Sequence, residues 1–135
     1  MNGKTWRFYW SLIAGILITL IGIAHETAAP MIYKRFGEML PPDKVMQLAY
    51  FFLVMGLFVI FSGLLTVYAS FGLRRTEQWA RTIIVWTGVF NVAAGIGGLR
   101  VGFKNPLIYF WILVALSNTI LALICGSKAK EASQG

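Results

Sequence analysis

Four long apolar runs, separated by short polar breaks, organise this chain. They cover about residues 8–28, 46–73, 80–103 and 107–126. Each is close to the ~20 residues that a helix needs to cross the hydrocarbon core of a bilayer. Apolar residues follow one another without strict alternation, so the runs do not read as strands of a barrel. Lipid offers no partner for a free backbone N–H or C=O, so each run must close its hydrogen bonds within itself as a helix. The expected fold is all-α: a polytopic membrane four-helix bundle forming a single transmembrane domain over 1–135, with a short polar tail at 127–135.

The breaks carry helix-ending and helix-starting signals. Pro30 follows the first run, and Pro41-Pro42-Asp43 opens the second, where proline suits a first turn. Arg74-Arg75-Thr76-Glu77 closes the second run. Lys104-Asn105-Pro106 is so short that the third and fourth helices must form an antiparallel hairpin. The longest break, about 29–45, mixes Met31, Ile32, Phe36, Met39 and Leu40 with Lys34, Arg35 and Glu38. Its apolar members share one helical face, which predicts a short interfacial helix over 31–40. Trp6, Trp10, Trp79 and Trp111 lie near run ends, as in interfacial aromatic belts.

Composition sharpens this reading. Of 135 residues, 58% are hydrophobic and 13% charged. A soluble domain carries about a quarter charged residues, and one this small could not hide so much apolar surface in water. The N-terminal segment has features of a signal peptide, with Lys4 and Arg7 before Leu12–Ala24 and then Thr27-Ala28-Ala29. Tyr9, Trp10 and a His-Glu pair within the run favour a retained span.

The net charge of +7 comes from 12 basic and 5 acidic residues. The basic residues sit between apolar runs and form no continuous face, so they predict contact with lipid headgroups and no nucleic acid. With four spans, one side of the membrane holds Lys4, Arg7, Arg74, Arg75, Arg81, Lys128 and Lys130. The other holds Lys34, Arg35, Lys44, Arg100 and Lys104. The excess places both termini in the cytoplasm of a multi-pass inner- or plasma-membrane protein.

Small residues recur every seven positions: Gly15, Gly22 and Ala29; Gly56, Gly63 and Ser70; Gly88, Gly95 and Gly102. A seven-residue step returns to nearly the same helix face. Small residues there let helix backbones approach where no hydrophobic effect drives association. Gly15, Gly22, Gly56, Gly63, Gly88 and Gly95 are therefore read as packing positions. The stretch Gly15 through Tyr33 faintly echoes Gly88 through Tyr109, each with a proline before an apolar-Ile-Tyr triplet, as an old duplication of a hairpin would.

Candidate chemistry is sparse. Ionisable residues within a span are functional candidates by default. His25 and Glu26 lie late in the first helix and Arg100 late in the third, on the same side of the membrane. Glu26 and Arg100 are the expected ion pair, structural or functional. His25 and Glu26 are the candidate acid–base residues, although adjacent helix positions point about 100° apart. His25 as an axial haem ligand is a remaining option; otherwise no cofactor and no metal is expected. Asn91 and Asn118 lie mid-membrane and are read as interhelical hydrogen-bond partners, or as the lining of a polar path. Thr19, Ser62 and Thr66 can bond to their own helix. The lone Cys125 is read as a packing residue. No metal-ligand spacing, nucleophile elbow or phosphate loop is present.

Four short spans, the Gly22-Ile23-Ala24-His25 segment and a glycine-rich third helix loosely resemble the DoxX-like group of small four-helix membrane proteins. That resemblance implies a four-helix membrane fold; some members are associated with redox complexes. The function expected is a non-catalytic accessory subunit or assembly factor of a membrane complex. Its partners would be lipids and other membrane subunits, or further copies of itself. The alternatives are a small oligomeric transporter or channel using Glu26 and Arg100, and a lipid- or quinone-modifying enzyme using His25 and Glu26.

Overall fold

The computed structural model describes the backbone of residues 3–100 and 106–131, and the side chains of 5–31, 33–100 and 106–124. All four runs are helices: α1 Gly3–Gly37, α2 Pro42–Arg74, α3 Gln78–Arg100 and α4 Pro106–Glu131. Each is long and apolar enough to cross a membrane. Every polar backbone group inside a run is thereby bonded within its own helix.

The helices pack in a ring: α1 against α2, α2 against α3, α3 against α4, and α4 back against α1. Helices α1 and α3 stand on one diagonal, α2 and α4 on the other. Two clusters fill the axis. One joins Ala14, Ile18, Ile21, Val59, Trp111 and Val114. The other joins Ala69, Ala80, Ile84 and Ala122. The outer surface is apolar throughout, with Leu20, Phe61, Trp86 and Leu113 among the large exposed side chains.

Close approach of helices depends on glycine. A Cβ at Gly15 would lie 2.7 Å from the Val67 nitrogen and 2.9 Å from the Gly63 oxygen. One at Gly63 would lie 2.6 Å from the Thr19 nitrogen. These are backbone atoms of the facing helix, which no side-chain rotation can move away. Gly22 meets the backbone and side chain of Ile60, while Gly88 and Gly95 meet Thr119 and Ile112 of α4. The seven-residue spacing thus marks real seams, α1 on α2 and α3 on α4. Gly102 lies outside the described residues, and so does the side chain of Cys125.

The first break differs from its sequence reading. Instead of a separate interfacial helix over 31–40, α1 continues unbroken through Pro30 to Gly37, and the connection to α2 is only 38–41. Proline removes one ladder bond but is tolerated where neighbouring helices hold the segment. The consequence is a hairpin of unequal reach. At 1.5 Å per residue, the 35 residues of α1 and 33 of α2 extend about 52 and 50 Å, against about 35 Å for the 23 residues of α3. The tip of the α1–α2 hairpin therefore stands beyond the end of α3. It carries exposed Met31, Tyr33, Met39, Met46 and Tyr50 beside Lys34, Arg35 and Lys44.

At the opposite end, the α2–α3 turn is closed by Thr76 in the left-handed region, φ 61°. The Arg75 and Glu77 N–H groups both donate to the Gly72 carbonyl at 3.0 Å. Trp6 and Trp79 are partly exposed near this end, consistent with interfacial anchors.

Candidate functional site

Two groups of intramembrane polar residues emerge, and they differ in kind. The first is a closed hydrogen-bond network in the bundle centre. Asn91 of α3 is fully buried. Its amide nitrogen donates to Ser62 Oγ of α2 at 2.8 Å and to the Thr87 carbonyl at 2.6 Å. Its amide oxygen accepts from Trp111 Nε1 of α4 at 2.9 Å. One turn along, the Thr66 and Thr87 hydroxyls are 2.9 Å apart, joining α2 to α3 again. Ser11 of α1 donates to Asn118 Oδ1 of α4 at 2.8 Å. Three seams of the ring are therefore tied by buried polar bonds, and the fourth, α1 on α2, is the glycine seam.

Several sequence readings change here. Trp111 is not an interfacial anchor: it is buried, and its N–H has a partner in the core. Ser62 and Thr66 do bond to their own helix, to Val59 and Ser62 carbonyls. They also reach across to α3, so their role is wider than self-satisfaction. Thr19 behaves as expected, donating to the Gly15 carbonyl at 2.8 Å. Ser11 and Thr87 were not singled out in the sequence, and Trp111 was read there only as an interfacial residue. Their signal is register: Asn91 and Thr87 are one turn apart, as are Ser62 and Thr66, on facing helices.

The second group is His25, Glu26, Phe52 and Gly56, on the α1–α2 seam. The His25 ring lies flat on Phe52, with centroids 3.6 Å apart and planes 13° apart. Its Nε2 is 3.2 Å from the Phe52 carbonyl, so that nitrogen carries the proton and donates. The Glu26 carboxyl folds onto Gly56, and its Oε1 occupies the place that a Cβ at 56 would take. Gly56 is thus both part of the close α1–α2 approach, its carbonyl 3.2 Å from a Cβ placed at Gly22, and a notch for a carboxyl group. Oε1 is buried and accepts no hydrogen bond. Pro30 also has no N–H to offer the Glu26 backbone carbonyl four residues back.

Glu26 and Arg100 do not form the expected ion pair. They end up on diagonal helices, and the ion pair observed among the described residues joins Asp43 and Lys44 at the surface, 4.0 Å apart. Position along each helix was legible from the sequence; the position of each helix around the ring was not. His25 and Glu26 both lie over Gly56, where a Cβ would meet Glu26 Oε1 and His25 Cδ2, while the His25 Nε2 is engaged with the Phe52 carbonyl. Among the described residues no three His, Cys, Asp or Glu side chains converge as a metal site. A shallow depression of about 200 Å³ opens on the outer surface beside Arg81, Trp86 and Leu123, remote from His25 and Glu26.

Comparison with known protein families, with curated proteins and with solved structures finds no match. The function is accordingly argued from the residues themselves.

Proposed function

We propose that this protein is a non-catalytic accessory subunit or assembly factor that packs sideways against other components of a cell membrane. One observation carries the reading. The mid-membrane polar side chains Asn91, Asn118, Ser11, Ser62, Thr66, Thr87 and Trp111 bond in pairs or chains across helices. A transport path or a catalytic pocket needs polar groups free to meet a solute; these are engaged in holding the bundle. The broad apolar exterior and the projecting α1–α2 tip supply surface for lateral partners. The loose likeness to DoxX-like proteins points the same way. The seven-to-five division of basic residues supports cytoplasmic termini in an inner or plasma membrane.

Extraction from native membrane into a mild detergent or nanodisc tests the proposal. The expected result is a particle larger than the chain alone, with another membrane protein at fixed stoichiometry. A chain recovered alone overturns it. So does proton or ion flux through reconstituted vesicles above that of empty ones.

A further inference from the structure

Among the described residues, two charged side chains toward the same end of the bundle, Glu26 and Arg100, have no ion-pair partner. Glu26 packs on Gly56, 6 residues from Ser62, and Ser62 bonds to Asn91. Arg100 is 9 residues beyond Asn91 in the same direction. At 1.5 Å per residue these offsets are about 9 Å and about 13 Å from the Ser62–Asn91 level. The difference is within reach of an arginine stem. Glu26 Oε1 is buried and unbonded. Arg100 is exposed and makes no ion pair or hydrogen bond within the described residues.

The surroundings of the two charges are complementary. Around Glu26, Ile23, Leu53 and Leu57 face outward from the α1–α2 seam. On α3, the exposed residues Ala93 and Gly97 lead along one face to Arg100. Among the described residues, nothing beyond its own helix lies within 4 Å of a Cβ placed at Gly97. Ala93 and Gly97 are exposed, unlike the buried positions Gly63 and Gly88. A small-xxx-small face pointing outward admits the close approach of another helix.

We propose that the occupant of this face is a second copy of the chain, with Arg100 of one copy pairing with Glu26 of the next. Copies inserted in the same orientation place Arg100 of one at the depth of Glu26 of the other without adjustment. No other partner is guaranteed to do so. Because α1 and α3 stand on a diagonal, the contact is head-to-tail, between the α1–α2 seam and the α3 face, and repetition builds an oligomer in the membrane plane that is a ring where the rotation closes. Each copy thereby supplies a cation to the accessible part of its neighbour's half-buried Glu26 side chain. This inference stands apart from the accessory-subunit reading, since it concerns self-association and requires no other protein.

Particle mass of the purified full chain in lipid nanodiscs, at several protein-to-lipid ratios, tests it. The wild type is expected as an oligomer. Glu26→Arg, Arg100→Glu and Gly97→Leu are each expected to weaken self-association about tenfold or more. Gly97 faces open space, so its replacement leaves the folded monomer intact and separates lost association from lost folding. Mixing Glu26→Arg chains with Arg100→Glu chains is expected to restore oligomers containing both. A monomeric wild type overturns the proposal, and so does an oligomer indifferent to all three substitutions. Co-purification of a different membrane protein, with or without oligomers, bears only on the accessory-subunit reading.

Discussion

Asn91 illustrates how a single residue decides bundle geometry. Its amide reaches α2 and α4 at once, and each bond replaces one that water would have made outside the membrane. Replacement by leucine keeps the volume but leaves Ser62 Oγ without that donor and Trp111 Nε1 without its acceptor. The expected loss is about 1–2 kcal/mol, in line with interhelical hydrogen bonds in membrane proteins, read by reversible unfolding in detergent. No loss would mean that the network is decorative. The glycines divide in a similarly testable way. Gly63→Ala drives a Cβ into the Thr19 nitrogen and the Gly15 oxygen of α1. Separating the two helices is expected to cost about 1–3 kcal/mol. Gly37→Ala, which meets nothing within 4 Å, is the control and is expected to be neutral or better in the same measurement.

For the elements, propensity and context compete at two breaks. Pro30 reads as a helix stop, yet α1 passes through it because α2 packs alongside and holds the segment. Residues 31–37 are helical, but as the end of α1 and not as a separate helix over 31–40, since a local pattern cannot see the neighbouring helix. The α2–α3 turn keeps a threonine where the backbone is left-handed. Such a conformation costs an L-residue about 1–2 kcal/mol, and glycine escapes it. Thr76→Gly is therefore expected to stabilise the protein by about 1 kcal/mol, despite removing the side-chain hydroxyl, which bonds only to the neighbouring Arg75 carbonyl. A lower midpoint of unfolding would show that the turn is not strained as described.

The whole molecule is an up-down-up-down bundle whose two hairpins differ in length. This topology places the 38–41 connection on one side of the membrane and the Arg75–Glu77 turn on the other. With cytoplasmic termini, an impermeant thiol reagent added outside intact cells is expected to label Glu38→Cys and to spare Arg75→Cys, both in a Cys125→Ala background. Equal labelling of the two positions would refute the four-span topology, and the reverse pattern would refute the orientation.

What the sequence determined alone is what depends on local physics. Length and polarity of each run dictate a membrane helix, because unsatisfied backbone groups are intolerable in lipid. The seven-residue recurrence of glycine dictates which faces pack, because it is a property of one helix at a time. Position along each helix also follows from the chain, by counting residues, so His25, Glu26 and Arg100 are expected toward the same end of the bundle. Tertiary structure alone decided the order of helices around the ring. That order separated Glu26 from Arg100 across a diagonal, drew Trp111 inward to Asn91, and turned Gly56 into a seat for a carboxyl group. These outcomes depend on which faces meet, and no run of residues contains that information about its neighbours.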